Sequence, residues 1–423
     1  MARQMKSSGV EWIGDIPEKW DVCKIINCLS SIGSGTTPQG QEYYENEYIP
    51  WLNTGDLNDG YIEKTEKSVS EKALSDYSVL KRFDAGSVVV AMYGATVGKL
   101  GIVTSSLVTN QACCVMTSNE KLYNKFLFYL FMAGKTYLIS LSLGSGQPNI
   151  NQNTVKTFDI PFVPLSEQKE IADYLDDRCG KIDDFIAKQK TVIEKLKEYK
   201  QSVITEAVTK GLDSAAPMKS SGVDWIGDIP EDWNIERAKN IFQQSIERGN
   251  SDLTLLSATQ DYGVYPKDRL EGVVQVKEDT DLSLFKTIHK NYFAISLRSF
   301  QGGFEMSDYE GVITPAYSVF YAKINVFHRF FKHLFKSDSF ISKINSLTVG
   351  IREGKSIQYD DFSNLFIPYP PLSEQNEIAD YLDAKCAKID DFIAKKQTVI
   401  DKLTEYKKSL IYECVTGKQE ILV

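Results

Sequence analysis

The sequence predicts an α+β fold built twice. Two mostly β domains, each carrying an amphipathic helix, are separated by two long antiparallel coiled-coil helices, and an internal pseudo-two-fold repeat relates the halves. Three observations predict this. "PLSEQKEIADYL" at 164–175 returns as "PLSEQNEIADYL" at 371–382. Each copy opens a long heptad pattern. The text between the copies is rich in short β-branched and aromatic runs and shares almost nothing from one half to the other.

The first element is a short lead-in, "MKSSGVEWIGDIPEKW" at 5–20, which recurs as "MKSSGVDWIGDIPEDW" at 218–233. After it comes a variable region, about 21–163. Runs such as "SVVVAMYG" and "GIVTSS", punctuated by Gly, Pro and Asn, read as strands, and "NKFLFYLFMAGKTYLISL" reads as a helix. The second variable region, about 234–370, offers "GVITPAYSVFYAKI" as strand text and "VFHRFFKHLFKSDSFISKI" as a helix. The Phe-rich faces of both helices are read as core.

The long helices are marked by heptads. Leu175, Ile182, Leu196 and Val203 fall at multiples of seven, and so do Phe185, Val192 and Tyr199. The second copy repeats the seam with Leu382, Ile389, Phe392, Val399, Leu403, Tyr406 and Leu410. Gln189 and Lys396 interrupt it with polar side chains. Pro164 precedes the pattern, Ser166 can cap it and Gly211 follows it. Such a helix is a rod of about 65 Å. Two of them in one chain pack most simply on each other. "KIDDFIAK" at 181–188 recurs at 388–395, and "TVIEKLKEYKQS" at 191–202 recurs as "TVIDKLTEYKKS" at 398–409. The resulting layout is 1–163, lead-in and first variable domain; 164–212, first long helix; 213–370, lead-in and second variable domain; 371–423, second long helix and tail.

At 423 residues the chain has room for two or three domains. No apolar run approaches the roughly 20 residues of a membrane span, and "MARQMKSSGVEW" shows no signal region. The seven cysteines lack zinc-site spacing and read as reduced, cytoplasmic thiols, and three scattered histidines make no metal centre. A net charge of −9 opposes nonspecific phosphate binding, yet 323–343 holds Lys323, Arg329, Lys332, Lys336 and Lys343 against Asp338 alone. Acidic residues gather at the start of each long helix.

Catalytic chemistry is missing. "GATVGKL" and "GIREGKS" each have three residues between the glycines where a phosphate-binding loop needs four. "IPYPPL" lacks the leading Asn or Asp of an amino-methyltransferase motif. Asp183 and Asp184 point about 100° apart on a helix and do not converge on a metal. What remains is polar and loop-borne. The first region offers Thr36, Thr37, Tyr93, Thr96, Lys99, Asn110, Gln111, Gln147, Asn149 and Gln152. The second offers Gln260, Tyr262, Arg298, Gln301, Tyr317, Arg352 and Lys355. These side-chain types read base edges and bind phosphates, and each is also an ordinary polar loop residue. Two other classes fit less well. A scaffold joining two proteins predicts no salt-dependent DNA binding, and a stand-alone methyltransferase or nuclease needs the missing cofactor and metal motifs.

The two "PLSEQ…IADYLD…KID" helix openings, the two "SSGVxWIGDIPExW" segments, and "GTTP", "GATVGK", "NQ" and "SFQGG…TPAYS" together resemble the specificity (S) subunits of Type I restriction–modification systems. The resemblance covers essentially the whole chain. It implies two target-recognition domains that each read one half of a split DNA sequence. It also implies that the helices serve as a ruler and as the docking surface for two methyltransferase (M) subunits, with motor-endonuclease (R) subunits joining the larger complex. It implies no catalytic residue, metal or cofactor in this chain, S-adenosylmethionine belonging to the methyltransferase partners.

Overall fold

The computed structural model describes residues 3–45, 48–142, 149–250, 252–259, 262–270, 281–296, 303–347 and 357–421. It divides into two compact units, the first of them discontinuous in sequence. Unit one is Met1–Gln189 with Thr398–Val423, and unit two is Lys190–Gln397. Each unit thus holds one variable domain, the start of one long helix and the end of the other.

In unit one a five-stranded sheet runs in the order Leu29–Gly33, Cys113–Ser118, Val88–Ala91, Leu100–Val103, Gly60–Ile62. Only the last pairing is parallel. "VVVAM" at 88–92 is apolar throughout because the sheet is covered on both faces. Val88 and Val90 pack toward Phe126, Leu127 and Leu130, while Val89 and Ala91 pack toward Leu52, Phe83 and Leu107 on the other side. Helix Asn124–Ser140 is enclosed, with every residue from Phe126 to Phe131 buried. A smaller sheet joins Val108–Thr109, Ile49–Leu52 and Lys67–Val69.

Unit two carries an antiparallel four-stranded sheet, Phe242–Ser245, Ser318–Ala322, Phe293–Ile295, Phe304–Met306. Phe242, Phe293, Phe304, Phe320, Phe331, Phe335 and Phe362 form one ring-on-ring core beneath it. The helix predicted over 326–344 is two helices, His328–Leu334 and Asp338–Ser346. Ser337 makes the break, because its hydroxyl accepts the Phe340 N–H and caps a fresh helix.

The long helices are Leu165–Lys210 and Leu372–Val415. Helix one begins at Leu165, so Ser166 lies inside the first turn instead of capping it. Gly211 and Gly417 follow the helix ends at φ 75° and 73°. A Cβ on Gly417 would lie 2.4 Å from Pro17 Cγ, and one on Gly211 would lie 2.8 Å from Glu374 Oε1. Within unit one, Asp183 meets Lys407 and Tyr174 meets Gln419, so the helix segments there run antiparallel. In unit two, Lys200 meets Asp390 and Gly211 lies against Glu374, which gives the same sense.

The buried heptad stripe corrects half of the expected seam. Leu175, Val203, Leu382, Ile389 and Leu410 are buried, and Ile182, Leu196 and Leu403 are half-buried. Phe185, Val192 and Tyr199, with Phe392, Val399 and Tyr406, are exposed by 37–57%. The second inward stripe is instead Cys179, Ile186, Ile193, Lys200 and Ala207, matched by Cys386, Ile393, Ile400, Lys407 and Cys414, with Ile186, Lys200, Ile393 and Lys407 half-buried and the rest buried. Three and four residues are both allowed heptad steps. Apolarity alone therefore favours the aromatic row over one that contains Lys and Ala. The lysines fit inside because their aliphatic stems lie in the seam while Nζ reaches an acid outside it. Gln189 is buried, and its Oε1 has no hydrogen-bond partner among the described residues, whereas Lys396 is half-buried.

Candidate nucleic-acid interface

The repeated text becomes a set of sockets that hold each variable domain on its helix. Trp20 Nε1 donates to Glu167 at 2.9 Å, and Trp233 Nε1 donates to Glu374 at 2.8 Å. Gln168 accepts the Tyr123 N–H and donates to the Lys121 and Val163 carbonyls. Gln375 likewise accepts the Phe327 N–H and donates to the Pro370 carbonyl. Asp176 takes Lys125 Nζ at 2.5 Å and the Tyr129 hydroxyl at 2.7 Å. Asp383 takes Arg329 and His333, each at 2.8 Å. "SEQ…IADYLD" is therefore a binding sequence for the domain that precedes it. Two of the five bases in segment 323–343 are paired: Arg329 with Asp380 and Asp383, and Lys336 with buried Glu305. The hydrogen bonds from His333 and Arg329 hold the Asp383 carboxyl down to about 2.

Outside these sockets, the loops of unit one converge. Gly35 N–H donates to the Asn110 carbonyl at 3.2 Å and to Thr109 Oγ1 at 3.1 Å. A Cβ there would sit 1.8 Å from the Thr109 carbonyl oxygen, so only glycine lets the two loops touch. The contact brings the Thr37 hydroxyl within 2.9 Å of Gln111 Oε1. Trp51 Nε1 fixes the loop by donating to the Thr36 carbonyl at 3.0 Å. Gly35 and Trp51 were missed as positioning residues because neither presents a reading group of its own.

Backbone bonds link Ala112 to Met92 and Met92 to Ile150, and Tyr93 bridges Asn149. Tyr93 and Asn149 thus adjoin Gln111 through a continuous strand edge. Thr96 and Lys99 lie on the tight turn between strands Val88–Ala91 and Leu100–Val103, with Gly94 and Gly98 at φ 84° and 76°. No helix follows that turn, so it cannot act as a phosphate-binding loop. Asn110 spends its Oδ1 on the Ala112 N–H and shapes the turn. Gln152 opens a short helix, Gln152–Lys156, that Asn151 caps. Gln147 lies outside the described residues.

In unit two, Tyr262 stands 65% exposed at the turn joining Leu256–Thr259 to Gly263–Pro266. The Tyr317 carbonyl accepts Lys286 Nζ at 2.5 Å. Gln260, Arg298, Gln301, Arg352 and Lys355 lie outside the described residues. His289, one of the three scattered histidines, sits between Glu247 and Glu310 at 3.0 Å each. The hydrogen bond to Glu247 raises its pKa. Among the described residues no group of three or more His, Cys, Asp or Glu could hold a metal ion. Asp183 is occupied by Lys407. No helix among the described residues is long and apolar enough to cross a membrane.

A family model described as the Type I restriction modification DNA specificity domain matches residues 17–196 and again 230–402. The Type I restriction enzyme MjaVIII specificity subunit of Methanocaldococcus jannaschii is 25% identical over 95% of this chain and 93% of that protein. The putative MjaX specificity subunit of the same organism is 26% identical over 96% and 95%. A solved chain from work on complex assembly and conformational transition of the type I R-M system superposes with a TM-score of 0.70. It shares 15% identity and covers 96% of this chain and 99% of its own. The HsdS subunit from Thermoanaerobacter tengcongensis gives a TM-score of 0.51 at 16% identity, covering 96% and 98%. These two likenesses are of fold.

Proposed function

Because the chain belongs to the Type I restriction modification DNA specificity family, we propose that it selects the DNA sequence on which a methyltransferase and endonuclease complex acts. It is a sequence-recognition subunit with two target-recognition domains, one for each half of a bipartite target. One observation carries this reading. The sockets on the long helices repeat residue for residue, with Glu167 and Glu374, Gln168 and Gln375, and Asp176 and Asp383 in the same roles. The loops outside the sockets share almost no sequence. A constant frame that presents two unlike polar surfaces suits the reading of two unlike half-sites.

The chain is non-catalytic alone and works in the cytoplasm. Two methyltransferase subunits, which carry S-adenosylmethionine, dock on the long helices, and motor-endonuclease subunits complete the assembly. The exposed rows Phe185, Val192, Tyr199 and Phe392, Val399, Tyr406 support docking there, since apolar side chains at heptad spacing suit a further helix. Replacing 234–370 with the corresponding region of another family member tests the reading. Methylation sequencing of the host should show one half of the target changed and the other intact. A change in both halves together would refute modular recognition.

A further inference from the structure

Several half-buried cations of this fold pair with acids. Lys125 has Asp176, Lys200 has Asp390, Lys336 has Glu305 and Lys407 has Asp183. Lys286 differs. Its Nζ donates to the Tyr317 carbonyl, and no carboxylate among the described residues lies within ion-pair distance. Its cross-strand neighbour is a second cation, Arg248, which is exposed and equally without an acid. Glu247, the adjacent carboxylate, is taken by His289 at 3.0 Å and Asn250 at 2.9 Å. Burial, and then the Arg248 charge, push the Lys286 pKa below the usual lysine range.

Backbone geometry holds the two cations together. The Thr287 N–H donates to the Glu247 carbonyl at 2.9 Å, which pins the loop after strand Phe242–Ser245 against strand Lys286–Ile288. Gly249, at φ 95°, lets the loop turn away immediately afterwards. In unit one the loop after the first sheet strand is pinned in the same manner, by Gly35 to Asn110, and there it presents the uncharged pair Thr37 and Gln111. The same loop in the two domains thus carries hydrogen-bonding groups in one and an uncompensated double positive charge in the other.

We infer that Arg248 and Lys286 clamp one DNA phosphate and position the second recognition domain on the duplex without reading a base. The assignment rests on the DNA-recognition function above. A phosphate supplies what the pair lacks: negative charge between two fixed donors, one a planar guanidinium and one a point charge.

The test uses the full chain assembled with its methyltransferase subunits. Binding to a duplex carrying its target is followed by fluorescence anisotropy across a salt series. R248Q and K286Q should each flatten the slope of log K against log salt by about one. Each should weaken binding about eight-fold at about 0.1 M salt and leave the methylated sequence unchanged. R248K and K286R, which keep the charge, should restore the slope and so exclude a folding defect. Unchanged slopes in both Gln variants overturn the clamp. A changed methylated sequence also overturns it, since it makes these residues base readers. Inorganic phosphate that binds the wild type but not R248Q, while the two bind DNA with the same salt slope, assigns the pair to a free anion and overturns the DNA assignment. A wild-type complex with no salt-dependent preference for its target overturns the DNA-recognition function itself.

Discussion

Lys200 and Asp183 lie on one long helix and meet different partners: Lys200 pairs with Asp390 at 2.7 Å, and Asp183 with Lys407 at 2.6 Å. The partners occupy matching places in the repeat, Asp390 corresponding to Asp183 and Lys407 to Lys200. A fragment 1–213 therefore carries both halves of the ion pair and should form a homodimer in which each Lys200 meets the other copy's Asp183. The remaining contacts are also supplied. Val203, Ile204, Ala207 and Val208 match Leu410, Ile411, Cys414 and Val415, the residues that close the unit-one core.

The perturbation is K200D. Each carboxylate of these pairs is 56% exposed, so each pair contributes only about 0.2–1 kcal/mol. Like charges in the same place oppose by similar amounts. Reversing two symmetric pairs should cost about 1–4 kcal/mol, or about five- to several-hundred-fold in dimer Kd. Sedimentation velocity across a concentration series measures the shift. The double variant D183K/K200D restores both attractions and should regain most of the affinity. With methyltransferase subunits, the dimer should methylate a palindromic split target, because its two reading domains are identical. A K200D fragment that dimerises as tightly as the parent, or a double variant that stays monomeric, would refute the matched-pair reasoning.

Two further outcomes follow from the sockets. Gln375 is fully buried and holds one N–H and one carbonyl, so Q375A should strand both and lower stability by about 2–3 kcal/mol in urea unfolding, and a loss under about 0.5 kcal/mol would count against the socket. Asp383 has its folded pKa lowered to about 2, so its contribution is present above the ordinary carboxylate value and is lost as pH falls through about 2. At 37% side-chain exposure solvent screening leaves it at about 1 kcal/mol, and the stability gap between wild type and D383N should close on acidification, measured by urea unfolding at stepped pH.

The repeat, the long helices and the β character of the variable regions were all legible in the sequence, because each rests on local pattern. Apolar spacing sets helix and strand periods, and the second copy confirms the first without knowledge of contacts. Three things were decided only by tertiary structure. The buried heptad row was one: Ile186 and Phe185 are both allowed by spacing, and the partner helix chose the row that holds Cys179, Lys200 and Ala207. The second was the meaning of charge. Segment 323–343 looks like a phosphate-binding surface when counted in one dimension, yet Arg329 and Lys336 are neutralised by Asp380, Asp383 and Glu305, and Arg248 and Lys286, far apart in the chain, meet no acid among the described residues. The third was the loop edge of unit one, where Gly35 permits an approach that sets Thr37 beside Gln111. Periodicity is a property of neighbours along the chain, and it survives in the text. Which charges are paired, and which loops touch, depends on residues brought together from distant positions, and Coulomb and hydrogen-bond energies fall off too steeply with distance for sequence separation to stand in for it.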